Sequence, residues 1–310
     1  MFFRGGDDMN KKVILEKFVA NRPEAIGAYG YGSGVFSQEG YKETDNPQID
    51  IIFLVEDLID WHKENMRING TDYSIMGKHF LKTSDIEDIK GKNRITYFSH
   101  INENGFRFKY GVMEEKDFLL FLNSWQNFFV PGRFQKPVLK IIGSEEEDNA
   151  IEYNKRQAML VTALISPTIT NRFEFFRLLC SLSYNGTLRM VIAENPNKVF
   201  NIVEGNYDRL NEIYSLPEDY IETDGDLLLI KHTKALKHVK ELPIGLLTYL
   251  YKNGYDFSNV FSVRHGIFDF LKEHNKAEEI SQTIEGIKTN GIVRSAPYLA
   301  AKVKKRVVGK

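Results

Sequence analysis

The first clear periodicity along the chain is helical: Val13, Ile14, Phe18 and Val19 share one face between residues 9 and 20, and the pattern stops before Arg22-Pro23. A glycine-alternating stretch follows, Ala25-Ile26-Gly27-Ala28-Tyr29-Gly30-Tyr31-Gly32-Ser33-Gly34-Val35-Phe36, which predicts a strand running into a turn with close backbone approach. Gln48 to Val55 is apolar, β-branched and of strand length, so it predicts a strand buried on both faces, interrupted by one carboxylate, Asp50. Further strands are predicted at Arg94 to Phe98 and Phe106 to Val112. A helix is predicted at Glu114 to Gln126, with Phe118, Phe121, Leu122 and Trp125 on one side. Beyond about residue 145 the pattern turns mainly helical, with segments at Tyr153 to Ile165, Arg172 to Tyr184 and Asn206 to Tyr214, broken by Pro167 and Pro196.

This pattern predicts an α/β domain over residues 1–145, a mainly helical domain over 146–275 and a C-terminal segment over 276–310. The last segment is basic: from Gly286 to Lys310 there are seven Lys or Arg residues and no Asp or Glu. Pro297 can open a helix in which Leu299, Ala300, Val303 and Val307 share one face, leaving Lys302, Lys304, Lys305 and Arg306 as candidate membrane contacts. Two readings stay open on pattern alone: a helix lying on an anionic bilayer, or a solvated helix docked on the protein.

Composition narrows the class. In 310 residues, 41 Lys plus Arg face 42 Asp plus Glu, so the net charge of -1 creates no global field to draw nucleic acid. No apolar run approaches the ~18 residues of a membrane-spanning helix. The single cysteine, Cys180, sits in an apolar helical stretch and reads as packing material in a reducing, cytoplasmic setting. The first eight residues have no apolar signal core, and their acidic residues argue against a transit peptide, so a bacterial or already processed form is expected.

The chemistry concentrates around Asp50. Glycines at 30, 32 and 34 around Ser33 free backbone N–H groups to wrap a phosphate, although a plain structural turn has the same composition. A Gly-Ser loop followed within twenty residues by an Asp on a buried strand is the layout of a nucleotidyltransferase. Mg²⁺ needs hard oxygen ligands to bridge a triphosphate, and Asp50 is the candidate catalytic carboxylate and metal ligand. A buried carboxylate costs several kcal/mol unless it meets a cation or donors, so a structural salt bridge is the alternative. Tyr31, Gly32, Ser33 and Gly34 are candidate nucleotide contacts. Lys109, in Lys109-Tyr110-Gly111-Val112 at the end of a predicted strand, and Arg133 and Lys136, in a loop, are candidate phosphate cations. His62, on a predicted helix after Trp61, can stand beside the site, with an orienting or structural role preferred.

Taken in order, several motifs are uncommon: Tyr29 to Phe36, Pro47-Gln48-Ile49-Asp50, Trp61-His62 with Asn65-Met66, Lys109 to Val112, Gly132 to Val138, Leu182-Ser183-Tyr184-Asn185-Gly186, and Glu194 to Val199 with Asn201-Ile202-Val203. Together they resemble the mitochondrial translocator assembly and maintenance family of CDP-diacylglycerol synthases. The resemblance implies a nucleotidyltransferase-like domain, a winged-helix-like domain and a membrane-attaching C-terminal segment. It also implies the reaction of CTP with phosphatidic acid, with Mg²⁺, at the inner face of a membrane (the matrix side of the mitochondrial inner membrane in a eukaryote). Two departures bear on the metal: Gln48 and Ile52 stand where nucleotidyltransferases often carry a second carboxylate, and Thr187 stands where an acidic residue is expected after Gly186. The competing readings are an inactive lipid-surface or assembly protein, and a nucleotidyltransferase acting on RNA or a small alcohol.

Overall fold

The computed structural model describes residues 5–36, 47–186 and 196–308; for 5–9 and 291–308 it describes the backbone alone. In chain order the elements are α1 (Gly5–Ala20), β1 (Gly27–Tyr31), β2 (Ile49–Val55), α2 (Leu58–Ile68), α3 (Ile75–Thr83), α4 (Ile86–Lys90), β3 (Thr96–Glu103), β4 (Phe106–Glu114), α5 (Glu115–Ser124) and α6 (Pro131–Phe134). Then come β5 (Val138–Ile142), α7 (Glu145–Ile165), β6 (Ile169–Asn171), α8 (Arg172–Ser181), α9 (Lys198–Ile213), β7 (Ile221–Asp224), β8 (Leu227–Ile230), α10 (His232–Ala235), α11 (Ile244–Lys252) and α12 (Val260–Val308). The chain forms two compact units: one from residues 1–118, 138–147 and 280–310, the other from 119–137 and 148–279.

The first unit is built on a five-stranded mixed sheet ordered β3-β4-β2-β1-β5. β2 is central, and Ile51, Ile52, Phe53 and Leu54 are fully buried, as a two-faced apolar run requires. It pairs antiparallel with β1 and parallel with β4, so the chain crosses over between them through α2, α3, α4 and β3. Asp57, Ser74 and Asp85 cap α2, α3 and α4 by accepting from the backbone N–H three residues on. One face of the sheet is dry. Leu15 and Phe18 of α1 lie there, Phe18 stacked on Phe108 at 3.9 Å, and Trp61 of α2 packs on Phe53 and Tyr110. Gly30 is needed at that contact, because a methyl in its place would sit 2.8 Å from a Leu15 carbon.

In the second unit the helices α7, α8, α9 and α11 and the first part of α12 share one apolar core with a small antiparallel sheet ordered β6-β8-β7. Trp125 and Phe128 are buried in that core, and the Trp125 indole donates to Asn154 at 2.9 Å. The third expected helix starts earlier than the periodicity suggests: α9 runs from Lys198 and kinks at Asn206, whose φ is -131° and whose amide donates to the Ile202 carbonyl. Cys180 is fully buried, and burial pushes its thiol up to about 11, which keeps it protonated and inert.

Two local expectations change. Arg133 lies in the short helix α6 rather than a loop, and the final helix does not begin at Pro297 but runs on from Val260. Among the described residues no helix is long and apolar enough to cross a membrane. The side chains of Lys302, Lys304, Lys305 and Arg306 lie outside the described residues, as do Thr187, Glu194 and Asn195.

Candidate active site

Strand register brings three of the sequence candidates into one row. Asp50 of β2 stands opposite Tyr31 of β1 on one side and Lys109 of β4 on the other. Residues directly opposite point to the same face of a sheet, so all three project from the face that α1 and α2 do not cover. Lys109 lies within β4 rather than at its end, which is what puts it in register with Asp50. Asp50 and Lys109 are half-buried.

Beyond Tyr31 the chain turns at Gly32, whose φ of +78° lies in the left-handed region and whose carbonyl accepts from Val35 and Phe36 N–H at 3.1 and 2.9 Å. A methyl on Gly32 would lie 3.3 Å from Asp50 Oδ2, so the turn is seated directly against the carboxylate. Gly34 is required for a different reason: its added methyl would sit 2.2 Å from the Gln48 carbonyl oxygen, a backbone atom of the adjoining chain. Gln48 turns its amide to the Phe108 carbonyl at 3.3 Å.

A residue absent from the sequence reading completes this face. Tyr97 of β3 is buried, its hydroxyl 3.2 Å from that of Tyr31, and Lys109 Nζ stands 4.2 Å from the centre of its ring. The ring lies across Gly111, where a methyl would come within 2.7 Å of it. An aromatic at a strand position reads as core, and the signal that would have found it is the glycine inside Lys109-Tyr110-Gly111-Val112.

His62 is on the opposite side. It packs with Trp61 and Phe98 on the dry face, hydrogen-bonds the Tyr73 hydroxyl at 3.0 Å and approaches Thr96 Oγ1 at 3.4 Å. Burial lowers its imidazole to about 3, so it is neutral at any working pH and orders the core around Asn65, Tyr73 and Tyr110.

The second unit gathers the other candidates with two of the distant motifs. Gly132 packs on Ser183, where a methyl would come within 2.4 Å of its Cβ, and Lys136 donates to the Gly132 carbonyl and to Ser183 Oγ, the latter at 2.8 Å. Burial, with Arg133 and Lys198 nearby, pushes the Lys136 ammonium down to about 8. Arg133 stacks on Phe129 at 3.6 Å and donates to its carbonyl. Gly132 to Lys136 and Ser183-Tyr184 thus form one structural feature, although some 47 positions separate Lys136 from Ser183.

The family described as "Phosphatidate cytidylyltransferase, mitochondrial" matches residues 12–305. The chain belongs to this family. Its relative of the same name in Schizosaccharomyces pombe is 32% identical over 320 residues, covering 91% of this chain and 80% of the relative. The Mus musculus relative is 32% identical over 247 residues, covering 77% and 71%, and that of Caenorhabditis briggsae 26% identical over 304 residues, covering 90% and 93%. The expectation drawn from the ordered motifs is met at the level of the family.

For a member of the phosphatidate cytidylyltransferase family the Gly32 turn allows a direct test. Gly32→Val should eliminate activity, since a branched side chain would be strained at φ +78° and would press on Asp50, whereas Ser33→Ala should weaken it moderately. Calorimetry with CTP checks this. Undiminished affinity in Gly32→Val would make the loop a turn and nothing more. Gly34→Val should fail too, by collision with the Gln48 backbone, and so does not separate the two readings.

Two positions before Tyr31, the Tyr29 hydroxyl donates to Glu147 at the start of α7. Glu147 is fully buried, accepts from Ser144 N–H at 3.3 Å and has Gly27 and Gly143 packed on its carboxyl, where a methyl would lie within 2.9 Å. Burial first, then the Glu115 carboxyl beside it, raises Glu147 from 4.5 to about 7. The fold therefore holds its proton more tightly than the unfolded chain does. That contribution to stability is complete below about pH 4.5 and is lost as pH rises through about 7. Glu147→Gln keeps the shape without the titration. The melting temperature of the native chain relative to this variant should fall across that window, and a pH-independent difference would sink the assignment.

Proposed function

We propose that this chain is a phosphatidate cytidylyltransferase: it joins CTP to phosphatidic acid, giving CDP-diacylglycerol and pyrophosphate for phospholipid (phosphatidylglycerol and cardiolipin) synthesis. The observation that carries the reading is the row Tyr31, Asp50 and Lys109 with the Gly32 turn seated on the Asp50 carboxylate. An oxygen of the phosphatidate phosphate forms a bond to the α-phosphorus of CTP, and the bond from that phosphorus to the pyrophosphate oxygen breaks. The nucleophile is already ionised, so the protein's part is alignment and charge rather than proton transfer.

In this reading the fold of the first unit is nucleotidyltransferase-like and that of the second winged-helix-like. The site fits Mg²⁺ in one way. Asp50 offers a hard carboxylate oxygen, and among the described residues no group of three or more His, Cys, Asp or Glu side chains forms a ready cage, so the ion would share its ligands with triphosphate oxygens. When bound, Mg²⁺ supplies charge neutralisation of the leaving pyrophosphate. Backbone N–H groups of Gly32, Ser33 and Gly34 cradle phosphate and Lys109 adds positive charge on the same face. Arg133 and Lys136 are candidate phosphate cations within the second unit. The basic end of α12 rests on an anionic membrane surface, nucleic acid is not a partner, and the chain works as a peripheral protein on the inner face of the membrane.

Purified protein with Mg²⁺, labelled CTP and phosphatidic acid in detergent should yield a labelled lipid, with the other nucleoside triphosphates as controls. No labelled lipid across a range of metals and detergents would favour the inactive lipid-surface protein instead.

A further inference from the structure

Tyr97 belongs to the edge strand of the sheet and yet reaches its centre: its hydroxyl meets that of Tyr31 with β4 and β2 lying between the two parent strands. Its ring supports the Lys109 ammonium at 4.2 Å. A lysine stem has many rotamers, and an aromatic face within ~6 Å narrows that freedom by drawing the charge to one place. Gly111 leaves the space that the ring occupies.

The strand that carries Tyr97 is locally irregular. Its pairing with β4 shifts register between Phe98 and Ile101, and His100 adopts a φ of 64°. Such a bulge leaves an edge strand free to twist. The last helix restrains it. Thr289 Oγ1 and Asn290 Nδ2 donate to the Tyr97 carbonyl at 2.8 and 3.1 Å, and Asn290 Oδ1 accepts from the Ser99 N–H and hydroxyl at 2.9 and 3.0 Å. Both helix residues are buried. Gly77 of α3 permits this close docking, since a methyl there would lie 2.3 Å from the Thr289 carbonyl, which in turn accepts from Ser74 Oγ at 2.8 Å. Side chains of α12 thus occupy the hydrogen-bonding positions that a neighbouring strand would fill.

We infer that Tyr97 is a positioning residue, fixing Lys109 and Tyr31 at the reacting face, and that the last helix sets its position through Thr289 and Asn290. The inference rests on the proposed cytidylyl transfer, because it assigns Lys109 to substrate phosphate. Displacing a charged group by ~1 Å from its working position lowers a rate by about 100-fold without a matching change in ground-state binding. A tyrosine that served only the core would lower stability and leave turnover per folded molecule unchanged.

The test measures kcat and the KM for CTP, alongside melting, in Tyr97→Leu, Tyr97→Phe, Thr289→Val and Lys109→Ala, and in the pairs of Tyr97→Leu with each of the last two. Tyr97→Leu should lower kcat by about 100-fold with KM within about threefold, and Tyr97→Phe, which keeps the ring, should recover most of that loss. Thr289→Val, which removes one bond to the Tyr97 carbonyl, should lower kcat by roughly threefold to tenfold. Groups that act through one another do not add, so neither Lys109→Ala nor Thr289→Val should reduce the Tyr97→Leu enzyme further by its full single-variant factor. Multiplicative losses in both pairs, or unchanged kcat in Tyr97→Leu, would overturn the inference. Should Tyr97→Leu fail to melt cooperatively, the Lys109→Ala and Thr289→Val pair carries the cycle, and a multiplicative loss there would overturn the inference. Native protein that makes no labelled lipid would overturn the proposed reaction and this inference with it, an outcome distinct from lost coupling at Tyr97 in an active enzyme.

Discussion

Asp50→Asn is expected to lower turnover by more than ~10²-fold while leaving the melting transition where it is. The substitution keeps the size of the side chain and removes the charge that would hold a divalent ion against the triphosphate. The surroundings make this a clean change. Asp50 is half-buried in the central strand, between Tyr31 and Lys109 in register, with the Gly32 turn close to one carboxylate oxygen. Lys109 is also the counter-charge that a purely structural reading would invoke, and the two readings part on stability. A structural pair broken at one end leaves a poorly solvated cation and costs several kcal/mol of folding free energy. A large drop in melting temperature with unchanged catalysis per folded molecule would therefore make Asp50 a structural ion-pair member.

Legibility in the sequence followed burial. The β2 strand could be read because an apolar run buried on both faces has few other uses, and Asp50 stood out in it because a carboxylate there needs a reason. The Gly30-Tyr31-Gly32-Ser33-Gly34 turn could be located for similar reasons, but not why each glycine is there: Gly30 accommodates Leu15, Gly32 faces Asp50 and Gly34 lies on the Gln48 backbone. Periodicity records which side of an element is apolar and not what it touches. Tyr97 was hidden because the sheet order β3-β4-β2-β1 is not the chain order, so its approach to Tyr31 depends on a crossover that no local pattern encodes. His62 shows the converse. Its neighbours in sequence suggest a site, but α2 lies on the dry face, where the imidazole is a neutral hydrogen-bonding group. The return of residues 280–290 to the first unit had a signal only in small polar residues, Thr289 and Asn290, which serve an edge strand as well as they serve solvent.

Removing Pro297 to Lys310 should give a folded protein that still binds CTP but no longer sediments with anionic liposomes, and its lipid turnover should fall with that loss. The cut lies beyond Thr289 and Asn290, so the part of α12 that docks on β3 is retained and the Asp50 face keeps its support. The removed segment holds five Lys or Arg residues. Each is worth about 1 kcal/mol near an anionic surface, and the narrow apolar stripe of Leu299, Ala300, Val303 and Val307 adds a second, uncharged contribution. Salt separates the two. Raising it from about 0.1 M, where the screening length is ~10 Å, toward 1 M, where it is ~3 Å, should weaken liposome binding of the intact chain without abolishing it. The apolar part persists. Equal sedimentation of intact and truncated protein at low salt would take the membrane role away from this helix. It would favour docking on the protein, the use already visible at residues 289 and 290.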